Sequence, residues 1–409
     1  MTKQNIPKVR FSGYDDEWER CKLGKLGDFK SGIGFPDNEQ GGKSGIPFFK
    51  ISDMSNIGNE VEMRTANNYV TQSQISRKKW KIIENVPAII FAKVGAALML
   101  NRKRLVNQPF LIDNNTMSFI FDETWDINFG LAIFQTLYLP QYAQVGALPS
   151  YNASDIAAIK VTLPDKVEQS QIDSLFSAVD SLLSSYKDNL ENYQSFKKSM
   201  LSKMFPKAGQ TVPEIRLDGF EGEWEQIKMG KVFTQQVDYI EPNENNELWS
   251  LTVEKGLTPK TDRYKRDFLV KKTDKFKRVK PNDFAYNPMN LTLGSLDANQ
   301  LGKSISVSGY YVVMSIEDYS KYDIDYFKIL LKTSFAIFQY KQYATGTLIE
   351  KQRVQFPTFS EISFALPSLP EQQALGSFFS NLDDLISSYQ AKIEELETLK
   401  KKLLQDMFI

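Results

Sequence analysis

The sequence predicts an α+β protein made of two tandem domains of similar fold and two long helices. Two internal repeats lead to this prediction. A helical segment that ends in Met204-Phe205 recurs with its end at Met407-Phe408, a shift of 203 positions. A shorter opening segment recurs with a shift of 206 positions, from residues 7–26 to residues 213–232. We therefore expect a covalently linked pseudo-dimer with an approximate two-fold axis, in which the helices form an antiparallel coiled coil.

The opening segment comes first in each repeat. Both copies carry a proline, an arginine, a glycine followed by an aromatic residue, and then a tryptophan. Trp18 and Trp224 occupy equivalent positions, and we expect each to anchor a strand on the core of its own domain. The first domain is predicted to cover residues 1–162, and the second to cover residues 207–365.

The body of each domain follows its opening segment. Short apolar runs separated by Gly, Asn and Pro predict strands in both bodies, as in Ala88-Ile89-Ile90-Phe91-Ala92. A helix is predicted at about residues 128–142 in the first body and at about residues 323–343 in the second. The sequences of the two bodies otherwise differ, so we expect one fold that carries two different surfaces.

The two spacer helices are predicted within residues 163–206 and 366–409. The first, at residues 167–204, would be about 57 Å long. Apolar residues recur in a heptad pattern, which predicts a seam with another helix. Asn189 and Lys392 interrupt this seam and are expected to fix its register. The predicted pairing residues are Ile172, Leu175, Val179, Leu182, Tyr186, Asn189 and Tyr193 in the first helix, and Leu375, Phe378, Leu382, Leu385, Tyr389, Lys392 and Leu396 in the second.

The composition excludes several classes of site. The chain contains no histidine and a single cysteine, Cys21, so it has no Ser-His-Asp triad, histidine-containing metal site or disulfide framework. Two stretches that imitate a phosphate-binding loop have Asp37 and Asp297 where that motif needs glycine. No signal peptide is recognisable, and the longest apolar stretch is interrupted by Lys93, so we expect a cytoplasmic protein without a membrane span.

Local basic charge is the strongest sign of a binding surface. The stretch from Lys255 to Lys280 contains eleven Lys or Arg residues against three Asp residues, although the chain as a whole has no net charge. Unlike basic clusters in the two bodies favour two polyanion-binding surfaces over solvated faces. The candidate residues are Arg77, Lys78, Lys79, Asn101, Arg102, Lys103 and Arg104 in the first body, and Lys260, Arg263, Tyr264, Lys265, Arg266, Lys271, Lys272, Lys277 and Arg278 in the second.

In combination, three motifs resemble the specificity subunit of type I restriction–modification enzymes. They are Pro213-x-x-Arg216-x-x-Gly219-Phe220-x-x-x-Trp224, Leu366-Pro367-x-x-x-Glu371-Gln372, and the helical end Lys400-Lys401-Lys402-Leu403-Leu404-Gln405-x-Met407-Phe408. Body segments 91–95 and 286–295 are also similar to this family, and they add Lys93 and Asn290 to the candidate DNA-contact residues. The first helix departs slightly from the second, with Val167 in place of Pro370.

This resemblance implies two target-recognition domains, each of which reads one half of a split, asymmetric DNA site. The helices would set the gap between the half-sites and dock two methyltransferase subunits, which hold S-adenosylmethionine and methylate adenine. Two motor-nuclease subunits that use ATP and Mg²⁺ would complete the complex. The chain itself would then be non-catalytic, with no cofactor or metal of its own.

Two alternatives from other functional classes remain open. The chain could be a coiled-coil scaffold that joins two protein-binding domains without contacting DNA. It could also be a catalytic chain with its own cofactor pocket. Loss of DNA affinity with rising salt separates the DNA-binding reading from the scaffold, because phosphate contacts release counterions. Binding of S-adenosylmethionine by the purified chain would support the catalytic reading.

Overall fold

The structure is a computed structural model that describes residues 5–144, 148–241, 246–259, 275–346 and 352–408. The chain forms two compact units. The first unit consists of residues 1–185 and 393–409, and the second of residues 186–392. Each unit therefore contains one body together with a part of both long helices.

The elements of the first unit begin with a strand directly after the opening segment. The strands are β1 (Glu19–Lys22), β2 (Gly27–Ser31), β3 (Ile46–Phe49), β4 (Tyr69–Val70), β5 (Ala88–Ala92), β6 (Lys103–Val106), β7 (Leu111–Ile112), β8 (Thr116–Phe121) and β9 (Lys160–Leu163). The helices are α1 (Gln72–Lys78), α2 (Ala96–Met99), α3 (Ile127–Thr136), α4 (Ala153–Ala157) and the long α5 (Lys166–Lys203), which continues into the second unit.

The second unit repeats this order with a different set of outer strands. Its strands are β10 (Glu225–Lys228), β11 (Phe233–Gln236), β12 (Tyr239–Ile240), β13 (Trp249–Thr252), β14 (Gly256–Pro259), β15 (Phe276–Val279), β16 (Phe284–Tyr286), β17 (Leu296–Ala298), β18 (Ile305–Ser308), β19 (Val312–Ile316) and β20 (Ser363–Leu366). Its helices are α6 (Ile324–Leu330), α7 (Ser334–Tyr343), α8 (Phe356–Ser360) and the long α9 (Leu369–Met407), which ends in the first unit.

Both units are built on the same central sheet. The strand order is β2-β8-β5-β6 in the first unit and β11-β19-β16-β17 in the second, with antiparallel pairing throughout. A second antiparallel pair, β1-β9 or β10-β20, joins the strand after the opening segment to the strand before the long helix. Its register matches as well, since Glu19 pairs with Leu163 and Glu225 pairs with Leu366. The predicted α+β fold, repeated in tandem, is confirmed.

The outer layers of the two units differ. The first unit adds a sheet of order β4-β3-β7, in which β3 and β7 are parallel. The second adds a sheet of order β12-β15-β18 and the hairpin β13-β14. This difference follows the divergence of the body sequences, so a shared core carries two unlike surfaces.

The core of each unit forms where apolar runs become buried strands. All five residues of β5 are buried, because this strand lies inside its sheet with a side chain layer on either face. Trp18 and Trp224 are 2% and 3% exposed and lie in the largest apolar cluster of their own units. The tryptophans therefore anchor the opening segments to the cores, as predicted.

The helix predicted at about residues 323–343 is in fact two helices, α6 and α7. Thr333 lies between them, and its hydroxyl accepts a hydrogen bond of 3.1 Å from the Ala336 amide. The same hydroxyl donates to the Leu330 carbonyl at 2.7 Å. Thr333 therefore terminates α6 and caps α7, a local preference of threonine that the apolar pattern alone does not show.

No helix in the described ranges is long and apolar enough to cross a membrane.

Candidate functional site

The long helices pair with opposite direction within each unit. In the first unit, Phe176 of α5 packs on Phe408, just beyond the end of α9, with ring centroids 5.8 Å apart. In the second unit, Phe196 of α5 packs on Phe378, near the start of α9, at 6.4 Å. Early residues of one helix thus meet late residues of the other, and the predicted antiparallel coiled coil is confirmed.

Burial shows which positions form the seam. Five of the predicted pairing residues are buried, and the tyrosines form a cluster in the second unit, where Tyr389 contacts Tyr186 and Tyr193 at 5.2 Å each. Leu175, Leu385 and Phe378 are half-buried. The buried residues are Ile172, Val179, Leu375, Leu382 and Leu396.

The predicted seam consists of two sets of positions, each recurring every seven residues, and the set that contains Leu182 is one residue out of phase. Leu182 is 43% exposed, whereas the adjacent Leu183 is 7% exposed. The same one-residue shift occurs in α9, where Ile393 is 9% exposed and the predicted seam residue Lys392 is half-buried. Seam positions in a heptad alternate in steps of three and four residues. After Ile172, a step of three leads to Leu175 and a step of four leads to Phe176, and both residues are apolar. The sequence pattern therefore did not determine which step comes first. The prediction that Leu182 lies in the seam is wrong.

Charged pairs cross from one helix to the other at two equivalent positions. In the first unit, Lys400 of α9 donates to Asp180 of α5 at 2.5 Å. In the second unit, Lys197 of α5 donates to Asp383 of α9. The repeat shift of 203 converts one pair into the other. These pairs mark the register of the coiled coil within each unit. The predicted markers Asn189 and Lys392 are half-buried on their helices, and their role in fixing the register stays a prediction.

A buried ion pair ties each opening segment to the start of its long helix. Arg10 donates to both carboxylate oxygens of Glu168 at 2.7 and 2.8 Å, and the Trp18 indole donates to the same carboxylate at 3.2 Å. In the second unit, Arg216 donates to both oxygens of Glu371 at 2.7 Å. Both glutamates are buried, at 0% and 1% exposure. The Glu of the Leu-Pro-x-x-x-Glu-Gln motif is therefore the acidic partner of the arginine in the opening segment.

The glutamine of that motif has a different structural role. In the first unit, Gln169 accepts a hydrogen bond from the Asp126 amide at 2.8 Å, next to the start of α3. Its amide group donates to the carbonyls of Thr124 and Pro164. Gln372 makes the same three kinds of bond in the second unit, accepting from the Asp323 amide at 3.0 Å. The glutamines therefore fix the body helix against the long helix.

Two candidate DNA-contact residues of the first unit are structural. Lys103 is fully buried, and its ammonium group donates to the Leu137 carbonyl at 2.6 Å. Burial lowers the pKa of Lys103 to about 8. Asn101 bridges the same loop, donating to the Leu137 carbonyl and accepting from the Leu139 amide, both at 3.1 Å. The prediction that Lys103 contacts DNA is wrong, because its side chain is buried, whereas the predicted DNA contact of the half-buried Asn101 stays a prediction.

The other members of that cluster have mixed exposure. Arg102 is exposed and donates to the Ser55 hydroxyl at 2.8 Å, whereas Arg104 is half-buried. Arg77 and Lys78 both pair with Glu39, at 2.8 and 3.4 Å. A hydrogen bond from Gln74 and these two cations lower the pKa of Glu39. Part of the predicted positive charge of α1 is therefore neutralised by a nearby carboxylate.

A cleft of about 710 Å³ in the first unit lies beside the remaining basic residues. Its lining includes Lys30, Lys79 and Lys81, all exposed, together with Phe29 and Trp80. The Trp80 ring is fixed edge-on against Phe48 with ring centroids 5.3 Å apart. The lining also contains the exposed Glu84, so the cleft carries three lysines against one carboxylate. Lysines and aromatic rings in one cleft suit the phosphates and bases of a nucleic acid.

The basic cluster of the second unit is only partly described. Lys260, Arg263, Tyr264, Lys265, Arg266, Lys271 and Lys272 lie outside the described residues. Lys277 is 7% exposed and donates to the Tyr311 carbonyl at 2.7 Å, so its predicted DNA contact is wrong. Arg278 is half-buried beside Asp238 at 3.6 Å. Asn290 is exposed, and Lys93 of the first unit is half-buried.

Comparison with known proteins agrees with this architecture. Residues 15–192 match the family model described as the type I restriction modification DNA specificity domain. The MjaX specificity subunit, ascribed to a type I restriction enzyme of Methanocaldococcus jannaschii, is 21% identical over 98% of this chain and 95% of its own length. The chain is therefore similar to type I specificity subunits over nearly its whole length.

Solved structures of specificity subunits share the fold. The S subunit of a type I restriction–modification system from M. genitalium aligns with a TM-score of 0.57, at 13% identity, over 99% of both chains. The HsdS subunit from Thermoanaerobacter tengcongensis aligns with a TM-score of 0.52, at 13% identity, over 97% of this chain and 98% of that one. Nearly the whole length of this chain therefore has the fold of those proteins.

Sequence reasoning missed two features of this chain. The cross-helix pairs Asp180–Lys400 and Lys197–Asp383 could have been found, because the repeat shift maps one onto the other. The cleft beside Trp80 could not, since Lys30 and Lys81 are distant in sequence and only the fold brings them together.

Proposed function

We propose that this chain is the non-catalytic DNA-recognition subunit of a type I restriction–modification complex. Each unit reads one half of a bipartite, asymmetric DNA site, and the paired helices set the gap between the halves. One observation carries the proposal: two units share a central sheet, an Arg–Glu clamp and a helix pair, but have unlike outer layers. Unlike outer layers suit unlike half-sites, while equivalent helices suit two copies of one partner.

The helices are proposed to dock two methyltransferase subunits. Leu182 and Leu399 of the first unit and Phe196 of the second remain 43–46% exposed on the surfaces of α5 and α9. Apolar side chains on a paired helix favour a protein partner, because its contact removes them from water. The methyltransferases would supply S-adenosylmethionine for adenine methylation. Motor-nuclease subunits that use ATP and Mg²⁺ would complete the complex.

A related structure supports the proposed assembly. A chain from a study of the complex assembly and conformational transition of the type I R-M system aligns with a TM-score of 0.53, at 13% identity, over 95% of this chain. The fold is thus shared with a chain studied in that context. The stoichiometry of two methyltransferases and two motor-nucleases is inferred here from the two-fold repetition of the helices.

DNA binding in the first unit is proposed to use the cleft with Lys30, Lys79 and Lys81. The test is equilibrium binding of mixed-sequence duplex DNA to the methyltransferase assembled with this chain, over a range of salt concentrations. Each phosphate contact contributes roughly 0.9 to the slope of log affinity against log salt. We expect Lys79→Glu/Lys81→Glu to weaken binding and reduce this slope.

The matched control is Lys22→Glu/Lys160→Glu. These lysines are exposed and face each other across the β1-β9 pair, so the control changes charge by the same amount on another surface. Equal effects of both double variants would show a general charge effect instead of a specific surface. Binding that is absent or insensitive to salt in the unmodified complex would favour the scaffold alternative.

A further inference from the structure

Tyr310 is the most exposed aromatic residue in the described ranges, with 80% of its surface accessible. It lies at the tip of the turn between β18 and β19, in the outer part of the second unit. Single exposed apolar residues are common on protein surfaces and need no explanation by themselves. Here, however, two further features of the turn point to a ligand.

The first feature is the rigidity of the turn. The Gly309 amide donates to the Lys275 carbonyl at 2.8 Å, and the Tyr311 amide donates to the Ser308 carbonyl at 3.0 Å. The buried ammonium group of Lys277 donates to the Tyr311 carbonyl at 2.7 Å. Hydrogen bonds on both sides of Tyr310 therefore hold the backbone while the ring stays in water. A turn whose backbone is held in this way loses little backbone entropy when it binds a partner.

The second feature is the charge around the turn. The Lys275 ammonium group lies 5.5 Å above the ring of Tyr239, which is itself 52% exposed. Arg278, farther along β15, is half-buried near Asp238. Two exposed aromatic rings thus lie on the part of the surface that carries the Lys275 ammonium group. An apolar protein partner would gain little from this cation, whereas DNA offers a phosphate to the lysine and bases to the rings.

We propose that Tyr310 is a specificity-determining residue of the second unit, which enters a groove of the DNA duplex and places its ring against base edges. Lys275 contacts the adjacent phosphates and Tyr239 supports the same strand of DNA. This inference rests on the proposed function, and it assigns a base contact to a residue that was not among the candidate DNA-contact residues. It also gives Lys277 a role, since its buried ammonium group positions the turn instead of contacting DNA.

The test compares Tyr310→Ala, Tyr310→Phe and the control Tyr319→Ala in the complete methyltransferase. Tyr319 is 51% exposed in the same unit, outside the cationic turn. The readouts are the motif of methylated adenines in cells and the affinity for a duplex that carries the motif of the unmodified protein. Tyr310→Ala is expected to lower affinity roughly tenfold and relax only one half of the motif, as loss of a base–aromatic contact does. Tyr310→Phe keeps the ring and should retain both properties, and Tyr319→Ala should change neither.

The outcomes separate this inference from the proposed function. If the unmodified protein yields no methylated motif and binds no DNA, the proposed function fails and the inference fails with it. If the unmodified protein has a bipartite motif but Tyr310→Ala keeps its motif and affinity, only the inference is overturned. Loss of methyltransferase binding by Tyr310→Ala, with DNA affinity intact, would identify a protein surface and also overturn it.

Discussion

Arg216 holds Glu371 through two hydrogen bonds of 2.7 Å each, and the carboxylate is 1% exposed. The repeat reproduces this relationship between Arg10 and Glu168. Each clamp joins a segment that precedes a body to the helix that follows it, over more than 150 residues of chain. The clamp thus fixes the position of each body relative to its long helix. A protein that positions two DNA-recognition surfaces, as proposed here, requires such a fixed attachment.

Replacing Glu371 with Gln should destabilise the second unit by about 3 kcal/mol, because it leaves the Arg216 guanidinium without a counter-charge in a mostly buried site. The measurement is urea unfolding followed by tryptophan fluorescence. Glu361→Gln is the matched control, since Glu361 pairs with Lys228 at 2.6 Å but both side chains are more than half exposed. That substitution should cost far less, because water and salt screen an exposed ion pair. Equal losses for both variants would show that the clamp does not stabilise the unit.

The corrected seam predicts opposite effects for two adjacent leucines. Leu183→Asp places a carboxylate in the buried seam and should cost about 3 kcal/mol or more. Leu182→Asp changes an exposed position and should cost less than about 1 kcal/mol. Thermal unfolding of the two variants compares them directly. If the originally predicted heptad phase were right, the order of the two effects would be reversed.

Leu182→Asp should nevertheless affect assembly. Its side chain belongs to the proposed docking surface, so the variant should fold normally but bind the methyltransferase subunit more weakly. Ser181→Asp provides a control, because Ser181 is an exposed polar residue on the same helix. Co-purification at increasing dilution measures the difference. Equal retention of the methyltransferase by both variants would place its docking surface elsewhere.

Lys103→Met should change the pH dependence of stability. The folded-state pKa of Lys103, about 8, lies below its ordinary value of 10.5, so the unfolded chain binds more protons between these values. The contribution of Lys103 therefore becomes more favourable as pH rises from about 8 to 10.5. At pH 7 the methionine variant avoids the cost of a buried charge but loses the bond to Leu137, and we expect a net gain of about 1 kcal/mol.

This gain should disappear near pH 9 and change sign by pH 10, where the folded protein holds Lys103 neutral. Urea unfolding of both proteins at pH 7, 8, 9 and 10 provides the comparison, and the difference between them removes the contribution of other titrating groups. A difference that stays constant over this range would contradict the assignment of the lowered pKa to Lys103.

Lengthening both spacer helices by one heptad should lengthen the gap in the DNA site. Seven helical residues add about 10.5 Å along the axis, close to the length of three base pairs. The insertion preserves the seam, because the heptad phase continues on both sides. The methylation motif of the variant gives the gap directly. An unchanged gap would show that the helices do not determine the spacing.

Much of the fold could be predicted from the sequence, because the repeat supplies independent evidence at two places. The opening segments, the Leu-Pro-x-x-x-Glu-Gln motifs and the long helices each occur twice. The seam phase was more difficult, since Leu182 and Leu183 are both apolar and only packing distinguishes them. The break at Thr333 depends on a single hydroxyl that caps a new helix.

The candidate site could be predicted only in part, because charge in a sequence does not show where a side chain points. Strand alternation places Lys103 on the same face of β6 as the buried Leu105, and this signal was overlooked among the neighbouring arginines. Tyr310 carries no charge, and its importance depends on the turn geometry. Lys79 is exposed, as a residue that contacts DNA must be, and Lys81, which was not a candidate, is exposed beside it.

The central claim is that two unlike units, spaced by paired helices, read two halves of one DNA site. Sequencing methylated adenines in cells that express this chain with its methyltransferase partner tests it most directly. We expect one asymmetric motif with two unlike half-sites and an unspecified gap of constant length. A single continuous motif, or no methylated adenine that depends on this chain, would contradict the account.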